Sequence, residues 1–120
     1  MKPGLNIVIG VCIIFLFYGC GENRTDGRGL YESYCMACHG MQGKGNGPAA
    51  PPLNPKPADF TSGNMREKCK KDRFALSVAI REGGMRKNAP WGSMMPSWKN
   101  LTEKEIFTLV TYICDKFDTR

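Results

Sequence analysis

A chain of 120 residues has room for one small domain, and its formal net charge of +6 suits an anionic partner: nucleic acid, anionic lipid or an acidic protein surface. One histidine in the whole chain excludes any site that needs two imidazoles. No low-complexity tract or internal repeat appears.

Lys2 followed by the apolar run "LNIVIGVCIIFLFYG", Leu5 to Gly19, reads as a signal-peptide core, because the run is shorter than the roughly 20 residues that span a bilayer. Residues 1–19 are therefore expected to be a signal peptide and the chain to be exported, which removes nucleic acid from the possible partners. The "FYGC" that ends the run resembles the lipobox of bacterial lipoproteins. By that resemblance Cys20 carries lipid, becomes the mature N-terminus and ties the protein to a membrane on the periplasmic or outer face of the cell. Each buried CH₂ of an acyl chain adds about 0.8 kcal/mol to such a tether. Gly21 rather than an acidic residue follows Cys20, which favours the outer membrane. The stretch "GENRTDGRG", Gly21 to Gly29, is polar and glycine-rich, so residues 20–29 read as a lipidated end with a flexible spacer. Removal of the leader takes one basic residue, Lys2, and leaves sixteen basic against eleven acidic residues, a net charge of +5.

The domain proper is placed at residues 30–120. Leu30 to Cys38 is predicted as its first helix, ending at the glycine after His39. That helix carries "YCMACHG", Tyr34 to Gly40, which has three chemical readings. A thioredoxin-like Cys35–Cys38 redox pair calls for alternating strand and helix patterns around it, and none is visible. A zinc site needs four ligands as a rule, and one C-x-x-C with one histidine leaves the fourth unexplained. The third reading is covalent haem, for which C-x-x-C-H is the attachment signal. On a helical turn residues i and i+3 share a face, so Cys35 and Cys38 can both reach the haem vinyl groups while His39 comes under the iron.

Residues 40–64 hold five prolines and five glycines and are predicted as one long loop. A loop of that length needs something to wrap, and a haem supplies it. The basic run "REKCKKDR", Arg66 to Arg73, with Arg86, Lys87 and Lys99, reads either as a docking surface for acidic partners or as a solvated face. Asp72 can cap a middle helix, "RFALSVAIREGG", with Phe74, Leu76, Val78, Ala79 and Ile80 apolar and Gly83 as its stop. In "WGSMMPSW", Trp91 to Trp98, Met94 and Met95 offer soft thioether sulfurs for a sixth iron ligand. Pro96 fixes its own φ and pushes Met95 toward an extended backbone. Thr102 and Glu105 form a T-x-x-E capping box, and Ile106, Leu109, Val110, Ile113 and Phe117 recur at helical spacing, predicting a C-terminal helix. Cys12 leaves with the leader, so Cys69 and Cys114 remain. They are either a disulfide, stabilising by about 4 kcal/mol on the chain-entropy relation, or buried thiols.

Two stretches, "GRGLYESYCMACHGMQGKGNGPAAPPLNPKPADFT" from Gly27 to Thr61 and "MMPSWKNLTEKEIFTLVTYI" from Met94 to Ile113, resemble the opening and close of the class I c-type cytochromes, particularly the small bacterial monohaem kind. The resemblance implies an all-α, cytochrome c-like fold, three or so helices and long loops around one covalently bound haem c. It makes Cys35 and Cys38 the attachments, His39 the proximal iron ligand and Met95 the distal one, with the adjacent Met94 leaving a one-residue ambiguity. It also implies that a backbone carbonyl at Pro48 accepts the other N–H of His39, and that Trp98 lies near a haem propionate. The implied function is one-electron transfer between respiratory-type redox partners in the cell envelope, as a carrier and not an enzyme. The alternatives are an electron-transfer subunit of a larger oxidoreductase and a haem enzyme or gas sensor with an open iron site. Such an enzyme needs acid–base groups above the iron, and His39 is already used.

Overall fold

The computed structural model of the chain describes residues 25–85 and 94–118. Residues 1–24, which take in the expected signal peptide, Cys20 and the first part of the expected spacer, lie outside the described residues, as do Arg86, Lys87 and Trp91.

Asp26 opens the fold by accepting a hydrogen bond from the Gly29 amide at 2.9 Å, and helix α1 runs over Gly27–Tyr34. The helix thus begins three residues before Leu30 and takes in the end of the stretch expected as spacer. Gly27 explains why so unpromising a residue starts a helix: a β-carbon there would collide with the side chain of Tyr112. At Cys35 the backbone leaves helical geometry, with φ −121° and ψ −36°, so the single helix expected over 30–38 is two. The second, α2, is the short turn Met36–His39, closed by Gly40 at φ +81°.

A helix then appears where the sequence showed only a basic run. Helix α3, Gly63–Lys71, is capped by the Ser62 hydroxyl, which accepts from the Met65 amide at 3.2 Å, and Glu67 pairs with Lys71 one turn on. Helix α4, Arg73–Glu82, follows after one residue. Asp72 caps it through the Ala75 amide at 2.8 Å, and Gly83 ends it at φ +56°, both as the sequence predicts. A 3₁₀ turn covers Gly83–Met85. Of the apolar residues of α4 only Ile80 is buried, and Phe74 is 78% exposed.

Helix α5, Glu103–Lys116, carries the complete capping box: the Thr102 hydroxyl accepts from the Glu105 amide and the Glu105 carboxylate accepts from the Thr102 amide at 2.8 Å. Its predicted stripe of Ile106, Leu109, Val110, Ile113 and Phe117 is buried in full. Fully burying an aliphatic or Phe side chain stabilises by about 1.5–3 kcal/mol, so this stripe is the main source of core energy. Helix α1 lays Leu30 and Tyr31 across it, which brings the two ends of the domain together. The described residues form helices, one 3₁₀ turn and loops with no strand among them, an all-α fold.

Cys69 on α3 and Cys114 on α5 are joined by a disulfide across 45 residues of sequence. It ties the small, polar α3, which buries no residue of its own, to the best-packed helix of the domain. A Cys69→Ser, Cys114→Ser double variant is expected to lose about 4 kcal/mol of unfolding free energy, measured by denaturant titration of the haem-loaded protein. A loss below about 1 kcal/mol would mean that α3 is held by packing alone.

Candidate haem site

The break at Cys35 sets up the site. The Cys38 and His39 amides both donate to the Cys35 carbonyl, at 3.2 and 2.9 Å, so the five residues from Cys35 to His39 close into one turn with both thiols on the same side. The following loop is stitched to this turn: the Gly45 amide donates to the His39 carbonyl at 2.9 Å, Gly47 to Cys38 at 3.0 Å and Ala49 to Ala37 at 2.9 Å. Gly45, at φ +72°, has no room for a side chain, because a β-carbon would strike the Pro57 carbonyl. That close approach brings the far limb of the loop, Pro57 and Ala58, back beside His39.

His39 is buried, at 9% exposure. Its Nδ1 lies 3.0 Å from the Ala58 carbonyl oxygen. A carbonyl only accepts, so the proton sits on Nδ1 and the lone pair is on Nε2. Burial lowers the pKa of the imidazole, and the Ala58 contact opposes this only in part, so the ring is neutral at physiological pH and able to bind a metal. The carbonyl partner expected at Pro48 is thus corrected to Ala58. Pro48 is held between the amides of Gly47 and Ala49, both committed to α2, whereas the Gly45–Pro57 approach delivers Ala58 to the ring. Nothing in the local sequence signals a partner nineteen residues away.

Cys35 is buried, Cys38 is half-buried, and both are free thiols. Burial, with Cys38 nearby as a smaller cause, pushes the Cys35 thiol up to about 12. A nucleophilic redox thiol needs the opposite, a pKa lowered toward neutrality. Among the described residues no group of three or more His, Cys, Asp or Glu side chains is placed to hold a metal ion.

Two adjoining cavities meet at this turn. The first, about 200 Å³, is walled by Cys35, Cys38 and His39 on one side and by Met94, Met95, Pro96 and Trp98 on another. The second, about 130 Å³, reaches into the core between Phe60, Ile80, Val110 and Ile113. His39, Ala58 and Met95 line both. Met94 lines only the first and is 67% exposed. Trp98 is half-buried, sets its ring edge-on to Tyr34 at 4.9 Å, and its amide donates to the Arg81 carbonyl at 3.1 Å, which anchors the Met95–Pro96 segment to the end of α4. Five of the six predicted site residues, Cys35, Cys38, His39, Met95 and Trp98, therefore stand around the first cavity, and Pro48 does not. Ala58 and Phe60 belong to the site and had no sequence signal beyond their place in the loop.

These residues fit a covalent haem: two free thiols three residues apart on one turn, a neutral imidazole with its second nitrogen uncommitted, a thioether on shared walls, and a mainly apolar lining.

The comparisons with known proteins agree. The cytochrome c family model matches residues 25–115. A cytochrome c-554(547) of Halothiobacillus neapolitanus is 28% identical over 88 residues, covering 72% of this chain and 89% of the relative. No solved structure gives a significant match.

Proposed function

Because the chain belongs to the cytochrome c family, whose members bind covalent haem c and transfer electrons with it, we propose that it is a class I, His/Met-ligated one-electron carrier of the cell envelope. The haem, when bound, supplies the one-electron couple of its iron. Everything else falls to the chain. Cys35 and Cys38 hold the group by thioethers, and His39 offers Nε2 with its tautomer fixed by Ala58. Met95 offers a sulfur that favours the reduced iron. Leu53, Pro55 and Pro57 keep water from one wall of the site, and Ile80, Val110 and Ile113 from another. The observation that carries this reading is the sharing of both cavities by His39 and Met95 beside two free thiols.

An optical redox titration tests it. The holoprotein is expected to follow a one-electron curve and, when reduced, to leave its spectrum unchanged under carbon monoxide. Rapid carbon monoxide binding by the native protein would instead favour an enzyme or gas sensor with an open site.

We further assign residues 1–19 to a signal peptide, residues 20–29 to a lipidated end with its spacer, and the remainder to the haem domain. The anchor would be lipid on Cys20, in the outer membrane. No helix among the described residues is long and apolar enough to cross a membrane. Cys20→Ser is expected to move the protein from the membrane to the soluble fraction, and an unchanged partition would refute lipid anchoring.

Redox partners are proposed to dock through acidic surfaces. Arg66, Lys68, Lys70, Lys71 and Arg73 gather on α3 and at the start of α4, and Lys99 lies beside the Met95–Trp98 segment. Electron-transfer rates with an acidic partner should fall about tenfold or more as salt rises from about 0.01 M, where the Debye length is about 30 Å, to physiological strength, where it is about 8 Å. Rates indifferent to salt would leave these cations as a solvated face.

A further inference from the structure

The imidazole of His39 is held by one short piece of loop from two directions. The Ala58 carbonyl accepts from Nδ1–H at 3.0 Å, and two residues later the Phe60 ring lies on the imidazole face, centroids 4.3 Å apart and planes 14° from parallel. These are different constraints. A hydrogen bond fixes where Nδ1 points but leaves the ring able to rock about the bond direction, and a ring stacked on its face blocks that rocking.

Phe60 is itself held firmly. It is 7% exposed, and its amide donates to the Gly43 carbonyl at 2.7 Å. Tyr31 meets it edge-on at 6.3 Å and Phe117 packs at 5.9 Å. Tyr31 is pinned in turn by its hydroxyl, which donates to the Gly40 carbonyl at 2.7 Å, one residue past His39. Between Ala58 and Phe60, Asp59 accepts from the Thr61 amide and hydroxyl at 2.8 and 2.6 Å, which closes the turn on the solvent side.

We infer that Phe60 is a positioning residue that sets the plane of the His39 imidazole, and through it the distribution of unpaired electron density over the edges of the haem. This rests on the reading of His39 as the iron ligand. The plane of an axial imidazole decides which of two nearly equivalent iron orbitals overlaps with it. A ring locked at one angle therefore favours some haem edges over others, whereas a rocking ring averages them.

The test is proton NMR of the oxidised holoprotein, in which the order and spread of the four haem methyl resonances report the axial-ligand planes. In F60L the order is expected to change or the spread to collapse, with the haem still covalently attached. F60Y, which keeps an aromatic face, should retain the wild-type order. L109V, in the buried stripe of α5 and away from the walls around Phe60, should lower the thermal midpoint while leaving the methyl pattern alone. If F60L does not accumulate, F60M removes the ring face while keeping a large apolar side chain. A wild-type methyl pattern in the variant lacking the ring, or an equal disturbance in L109V, would overturn the positioning role. Failure to find a hyperfine-shifted imidazole in the wild-type protein would instead overturn the ligand assignment, and the positioning role with it.

Discussion

Replacing Cys35 and Cys38 together with alanine should remove covalent haem from the protein completely, leaving no haem staining after denaturing electrophoresis and a chain of unmodified mass. Each single variant should keep one thioether and stain. The double variant is also expected to lose most of its helix signal in circular dichroism. Without the group, the mainly apolar walls of the two spaces beside His39, about 200 and 130 Å³, lose the surface they pack against and meet water instead. A small domain has only about 5–15 kcal/mol in total. The α1–α5 pair and the Cys69–Cys114 disulfide would remain as the most persistent parts. Full helix content in the double variant would show that the aliphatic core around Leu109 carries the fold by itself.

The parts of this molecule legible in its sequence are those whose causes are local. The capping box at Thr102, the stripe on α5, the Asp72 cap and the Gly83 stop each depend on residues within a few positions of one another, and the structure has them where the pattern put them. The C-x-x-C-H turn is local in the same sense. Helix α3 was obscured because its interior is almost wholly polar: with no apolar stripe, only Ser62 before a run of good helix formers marks it, and the charges of that run draw attention away from the backbone.

What hid the rest of the site is sequence distance. Ala58 and Phe60 reach His39 only because the loop doubles back at Gly45, where a β-carbon would strike the Pro57 carbonyl, and one glycine among the five in this loop does not tell which limb it brings back to the histidine. The family resemblance places the partner for Nδ1 at Pro48, nine residues on, and the structure has it at Ala58, nineteen residues on. Tertiary closure, not composition, chose between two otherwise equivalent carbonyls.

Met95→Leu should convert the carrier into a protein with an accessible iron. The substitution conserves volume and, at less than about 1.5 kcal/mol, should leave the fold and the haem attachment in place. It removes the only thioether among the described residues that lines both cavities with His39. Three changes are expected together. The weak long-wavelength absorption of sulfur bound to oxidised iron disappears. The reduction potential falls by about a few tenths of a volt, within the ~0.8 V range over which axial ligands set haem potentials. The reduced protein then binds carbon monoxide. Met94→Leu should do none of these. Met94 is 67% exposed and borders only the outer cavity, whereas Met95 is half-buried and lines both cavities with His39. The two variants therefore form a matched pair with almost the same backbone cost and opposite consequences for the iron. If Met94→Leu opened the iron and Met95→Leu did not, the ligand would move by one residue, and the backbone around Pro96 would have to turn over to present it.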